Sequence, residues 1–494
     1  MPELRKKVFR NLSIQTISRV ISVCLWLLAV SLMMRYLGPE RYGYYSIAIA
    51  FLQIFGIVAD FGLYLITLQY LGVIEIEPKE KQQERIDHAM SNLFTLRFFL
   101  ALIFYGLAVL LSLFFPYPPV VKIGIFILSF SLFFCTLIQF FSSFYQKMFE
   151  TGKIFKGEVL GNIISLSLIA LFIIFDLGFY FILLAFVLAN LVNFLILFFS
   201  CKKLVHLRFS FDFSFWREIF SKIWPIGLAI ALNVVYFKAD TLILSFYAPP
   251  SDVGFYGAAY RIFEGFIALP FLFLGLVIPQ LAKAWASREK DSSSRNASAE
   301  LGRFRLIFQK SFDFLVMIAV PFVFGSIVVG FKIMELIGGP QFKVSGELFK
   351  VISLAAGLLF VGELFKQLMI VLNKQKNVLP IYFAATILAL VGYFIFIPLY
   401  SYWGAAWTTV GVEFLMLLAL LWYFYKQTHI LPRTGFLIKS IFSSLIMFAV
   451  LSFFKNLNLF ILIGLGIVLY FSILFLLKGI SKEDVKKLFS NLVN

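Results

Sequence analysis

The chain has 494 residues, 61% of them hydrophobic and only 14% charged, with a net charge of +17. A soluble domain of this length needs far more polar surface, so soluble enzymes and soluble binding modules are excluded. Apolar runs near twenty residues recur along the chain, the length a helix needs to cross a ~30 Å hydrocarbon core. A transmembrane β-barrel would show short alternating segments instead.

In chain order the pattern predicts about fourteen spanning helices, near 12–34, 44–70, 92–115, 121–145, 156–175, 179–200, 222–247, 254–282, 311–331, 347–372, 378–397, 403–425, 436–454 and 457–477. The basic N-terminus "MPELRKKVFRNLSIQ" runs into the first span without a small-residue cleavage site, which reads as a retained helix. "FPYPP" (115–119), "DLG" (176–178) and "APPSD" (248–252) are turn chemistry between apolar runs. Positive charge gathers in alternate loops: around Lys6, around Lys153, from Lys202 to Lys222, from Arg288 to Lys310, and in the tail at Lys478 to Lys487. The positive-inside rule then places both termini in the cytoplasm and explains the net charge without nucleic acid. The polar stretch "SREKDSSSRNASAELGRFR" (287–305) reads as a cytoplasmic linker.

The chain repeats itself. "YLGPERYGYYSIA" (36–48) and "YAPPSDVGFYGAA" (247–259) share Tyr36, Pro39, Gly43, Tyr45 and Ala48 at one fixed offset with Tyr247, Pro250, Gly254, Tyr256 and Ala259. Span two thus matches span eight, and a repeat unit of six spans, an even number, predicts a parallel repeat. The expected fold is an all-α polytopic membrane protein. It has an N-terminal six-helix lobe (1–205), a second (206–430, with the polar loop 285–310), and two extra C-terminal helices with a basic tail (431–494).

Charged and polar residues lie on ordered faces of several spans, where each buried charge costs several kcal/mol. Gln15, Arg19, Ser22 and Trp26 form a stripe on span one; Gln139, Ser142 or Ser143, and Gln146 on span four; Glu158, Asn162 and Ser165 on span five. Asn233 and Asp240 share a face of span seven, and span eight carries Tyr256, Tyr260, Arg261 and Glu264. Glu363 and Lys366 are three apart in span ten, and span twelve holds Glu413. Arg19 lies roughly 12 Å from the cytoplasmic end with no acid in its span. Arg261 with Glu264, and Glu363 with Lys366, are at ion-pair spacing and would neutralise themselves, and an Asp240–Arg261 pair would join spans seven and eight. Asp60 and Arg97 fall near the cytoplasmic edge and read as interface anchors. Stripes on many helices imply a wet cleft. Its arginines suit a phosphate or pyrophosphate, its amides and hydroxyls a sugar, and Asp240, Glu264 or Glu413 a coupling ion.

"RYLGPERYGYYSIAIAFLQIFGIVADFGL" (35–63) and "KADTLILSFYAPPSDVGFYGAAYRI" (238–262) resemble matching segments of Wzx-type polysaccharide-precursor flippases in the multidrug/oligosaccharidyl-lipid/polysaccharide (MOP) exporter superfamily. The resemblance implies a MATE-like two-lobed plan and transfer of an undecaprenyl-pyrophosphate-linked oligosaccharide (an O-antigen, capsule or exopolysaccharide unit) to the outer leaflet by alternating access. It implies a cationic cavity, here Arg19 and Arg261 with Glu264, Gln15, Tyr260 and Asn162, and ion coupling through Asp240, Glu413 or Glu363. Lipid II flippases of the superfamily carry further arginines along span one, where only Arg35 follows Arg19. Multidrug extruders often have an acid in the first span, and none is present.

No enzyme is expected. The first outer loop has only Glu40, and no nucleophile–base pair appears. Cys24, Cys135 and Cys201 form no spaced motif and the three histidines no zinc cluster, so no metal or cofactor is expected beyond Na+ or H+. The expected partners are a polyprenyl-pyrophosphate-linked glycan and membrane lipids, not nucleic acid. The expected state is a monomer of the cytoplasmic (inner) membrane, near a glycan polymerase or glycosyltransferases.

Overall fold

The computed structural model describes residues 2–74, 79–148, 150–290 and 295–479, with side chains over 21–72, 82–148, 150–224, 227, 237–267, 269–288 and 298–479. Fourteen α-helices and one 3-10 turn (Pro340–Phe342) make up the described chain, with no strand among them. They are α1 Pro2–Asp60, α2 Leu63–Ile74, α3 Lys79–Ser112, α4 Pro119–Lys147, α5 Thr151–Ile174, α6 Phe179–Lys202, α7 Phe213–Tyr247, α8 Pro250–Lys290, α9 Arg295–Gly338, α10 Lys343–Val371, α11 Gln375–Tyr400, α12 Tyr402–Thr428, α13 Gly435–Phe453 and α14 Leu459–Leu476. Among the described residues, twelve helical stretches are long and apolar enough to cross a membrane. The chain is a multi-pass membrane protein.

Helices result because a backbone in hydrocarbon must satisfy its own polar groups. Breaks fall where side-chain chemistry permits. Gly38 (φ 71°, ψ 174°) interrupts α1 just before Pro39, separating the first predicted span from the second. Pro118 and Pro119 open α4, and Gly178 (φ 85°) precedes α6. The second span, expected as one helix over 44–70, is broken. Phe61 (φ 37°) and Gly62 (φ 83°) part α1 from α2.

The chain divides into two compact units, residues 1–254 and 255–494. In the first, α1 packs on α3, α4, α5 and α7, and α4 and α5 pack on α6. Phe94, Phe140, Phe141 and Phe144 centre an aromatic core there. The connection from α6 to α7 runs along α3, bound by a stripe at four-residue steps. Gln83 Nε2 donates to the Leu204 carbonyl (3.0 Å), Asp87 Oδ2 meets His206 Nδ1 (3.1 Å), and the hydroxyls of Ser91 and Thr95 accept from the amides of Arg208 (3.3 Å) and Ser210 (3.0 Å). Asn92 Oδ1 accepts the Asp212 amide at 2.9 Å. In the "FPYPP" turn, Phe115, Tyr117 and Phe246 stack nearly parallel at 5.6–5.8 Å. The Tyr117 hydroxyl meets Ser245 Oγ at 3.0 Å, and burial pushes this phenol up to about 12.

The two repeat copies meet inside this first unit. A Cβ on Gly43 would lie 1.8 Å from the Pro250 carbonyl oxygen, and one on Gly254 would lie 2.0 Å from that of Pro39. Neither position has room for a side chain, which explains why glycine recurs at both.

In the second unit α10 packs on α9 and α12, α11 on α12, and α9 on α13 and α14. Gly404 lets α12 approach α11, since a Cβ there would fall 2.1 Å from the Phe396 carbonyl oxygen.

Candidate functional site

The first unit holds a polar cluster around the broken span, buried at Arg97 and open at Gln139 and Gln146. The Asp60 carboxylate, at the C-terminal end of α1, takes Nη2 of Arg97 on α3. Arg97 is wholly buried, whereas the Asp60 side chain keeps 22% exposure. The interface-anchor reading of this pair is therefore corrected. The guanidinium is enclosed by protein and held by a carboxylate of another helix. Gln139 Oε1 also accepts from Arg97 Nη2 at 3.1 Å. The Tyr64 hydroxyl donates to Gln146 one break away, and Tyr105 meets Thr136 Oγ1 at 3.0 Å. The polar stripe on span four bonds to its neighbours: Gln139 and Gln146 serve α3 and α2. Ser142 and Ser143 bond carbonyls of their own helix at 2.8 and 2.7 Å. Gln139 and Gln146 nonetheless remain exposed.

Of the residues expected in a cavity, the side chains of Gln15 and Arg19 lie outside the described residues, as does that of Asn233. Asn162 Nδ2 donates to the Ser22 carbonyl at 3.3 Å, tying α5 to α1. Asp240 is buried and accepts from the amide and hydroxyl of Thr241.

In the second unit, Arg261 Nη1 donates to Glu264 Oε2 at 3.0 Å, one turn along α8. The arginine side chain is 17% exposed and the glutamate 30%, so the pair is neither sealed nor freely solvated. Tyr260 is buried, with Phe263 at 4.9 Å and Tyr256 at 5.6 Å between ring centroids. Two residues beyond Glu264 on the same helix, Phe266 lines an apolar groove of about 400 Å³ with α9, α13 and α14. Met317, Phe322, Met447, Leu462 and Phe471 are among its walls, and no charged residue lines it among those described.

A second polar cluster lies between α10 and α12. Glu363 is buried, accepts from Gln367 Nε2 at 2.8 Å, and has Lys366 Nζ at 3.9 Å. Glu413 on α12 is also buried. Among the described residues no three His, Cys, Asp or Glu are grouped to hold a metal ion.

This arrangement defines a class: a polytopic helical membrane protein with the fold of MOP-superfamily transporters. The lipid II flippase MurJ in an inward closed conformation matches with a TM-score of 0.72, covering 97% of this chain and 99% of that one at 16% identity. An inward-facing multidrug-resistance MATE transporter matches at 0.61 over 82% and 94%, with 15% identity. An outward-facing MATE transporter matches at 0.53 over 85% and 93%, with 16% identity. The chain itself belongs to the polysaccharide biosynthesis protein family, whose pattern it matches over residues 32–347. A search of curated proteins by sequence returned no match.

Proposed function

We propose that this protein is a flippase that carries an undecaprenyl-pyrophosphate-linked oligosaccharide across the cytoplasmic membrane by alternating access, without catalysing a covalent step. The observation that carries this reading is the half-buried Arg261, a cation held within a membrane-spanning stretch of the second unit. Arg261 offers a planar donor fork to a pyrophosphate. The groove starting at Phe266 offers an apolar bed for a polyprenyl chain. Family membership supports a glycan as the remaining part of the substrate.

The Arg261–Glu264 pair makes the headgroup site an exchange site. An incoming phosphate competes with Glu264 for the guanidinium, so the arginine is never left bare in hydrocarbon. Arg19 and Gln15 on α1, and Tyr260 and Asn162, are proposed as further contacts. Coupling to Na+ or H+ is assigned to Asp240, Glu363 or Glu413, whose buried carboxylates have a charge to exchange. Both termini are assigned to the cytoplasm, and the working state is a monomer beside a glycan polymerase or glycosyltransferases.

The test is translocation of labelled undecaprenyl-pyrophosphate oligosaccharide in sealed proteoliposomes. Arg261→Ala is expected to abolish transfer, whereas Glu264→Gln is expected to tighten headgroup binding, because the competing anion is gone. Arg19→Ala tests the first-span contact in the same assay. Transfer of lipid II but not of the oligosaccharide would overturn the substrate, and cation-driven drug efflux without either would overturn the lipid.

A further inference from the structure

The second span is not one rod but two arms, and each arm is separately tied down. Above the break, Asp60 is fixed to Arg97. Four residues earlier Gly56 closes on Tyr105, whose hydroxyl lies 2.8 Å from where a Cβ on Gly56 would be. Below the break, Tyr64 is bonded to Gln146 on α4. Only Phe61 and Gly62 connect the arms, both in the left-handed region at φ 37° and 83°. Glycine accepts that conformation freely, but a phenylalanine is held there only where its surroundings over-determine it. The surroundings are visible. The Phe61 ring lies on Gly227 of α7, so close that a Cβ there would come within 2.5 Å of two ring carbons.

We infer that Asp60–Gly62 is a hinge in span two, with Asp60–Arg97 its pivot and the Phe61 ring on Gly227 the catch that holds it bent. The short arm α2 swings on this hinge. Phe61 leaves its seat and regains right-handed backbone, while the pivot keeps the long arm registered on α3. The guanidinium is built for such motion. Among the described residues its Nε and Nη1 have no acceptor, so it has donors to offer a displaced carbonyl without giving up Asp60. The purpose of the hinge rests on the transport reading, since an arm that swings at one end of a span changes access from that side. Its detection does not.

The experiment uses the full-length protein in lipid nanodiscs, with Cys24, Cys135 and Cys201 replaced by serine and spin labels at Glu40→Cys and Gln69→Cys. Pulsed dipolar spectroscopy then reads the distance across the break. An unbroken helix between these positions would span ~43 Å at 1.5 Å per residue, and the bend shortens it. Gly227→Ala removes the seat and is expected to shift the main distance toward the straight-helix limit. Asp60→Asn, which frees the pivot, is expected to broaden the distribution instead. Where Gly227→Ala does not fold, Phe61→Ala empties the same seat without crowding and should give the same lengthening. One narrow distance, unchanged in the folded seat variant, would overturn the hinge. A distance that shifts in protein that flips no oligosaccharide supports the hinge and removes only the function assigned to it.

Discussion

Arg97 behaves unlike any other cation in the described chain, because it has no exposure and its nearest charge is a single carboxylate on another helix. Taking a guanidinium out of water is expensive, and the pairing with Asp60 recovers this only while both partners are present. Removing either leaves an uncompensated buried charge, at a cost of about 3–5 kcal/mol. Asp60→Asn alone and Arg97→Gln alone are therefore each expected to destabilise the protein strongly in detergent, by thermal unfolding. The double variant should lose much less than the sum, with a coupling of about 1–3 kcal/mol. Strict additivity would mean that the pair is not formed in the membrane. The sequence placed both residues near the cytoplasmic edge, but depth alone could not show that Arg97 points inward toward Asp60. The Arg261–Glu264 pair was legible, since three residues along a helix bring two side chains together whatever surrounds them.

Among the elements, hydropathy revealed nearly every span, because the bilayer leaves a crossing chain few alternatives to a continuous helix. It failed at span two for an instructive reason. "ADFGL" stays apolar enough to read as uninterrupted, and the signal for the break was Gly62 directly after Asp-Phe inside the run. The polar stripe of span four is legible as a stripe, and its Gln139 and Gln146 also serve Arg97 and Tyr64 while staying exposed. Periodicity gives the face of a helix, not what the face meets. The stripe Gln83, Asp87, Ser91, Thr95 was legible by spacing and passed unnoticed, because it sits in a stretch polar enough to look like solvent-facing helix. It holds the α6–α7 connection on α3, each bond contributing about 1 kcal/mol. Replacing Asp87 and Thr95 together by alanine is expected to loosen this strap. Limited trypsin digestion should then cut faster at Lys203 and Arg208, while the cleavage of other loops stays unchanged. Equal rates in both proteins would mean that the strap is held by something else.

For the molecule as a whole, charge distribution and fold address different questions. The helices say that the chain crosses a membrane many times; the basic loops predict from which side. Reporter fusions give the check. A fluorescent protein at the C-terminus should mature in the cytoplasm, and a phosphatase inserted in the "DLG" turn at 176–178 should be active outside. The reverse pattern would invert every inside and outside assignment made here. The repeat read from the sequence acquires its meaning only in three dimensions. Gly43 faces the carbonyl of Pro250, and Gly254 faces the carbonyl of Pro39, so each copy of the motif is both the ridge and the socket for the other. Such a contact is isologous, of the kind that a two-fold homodimer makes. A chain of half this length, bearing one turn of this design, would fit against a second copy of itself in the same way. Fusing two such chains would then have required no new interface at this point, only a tether.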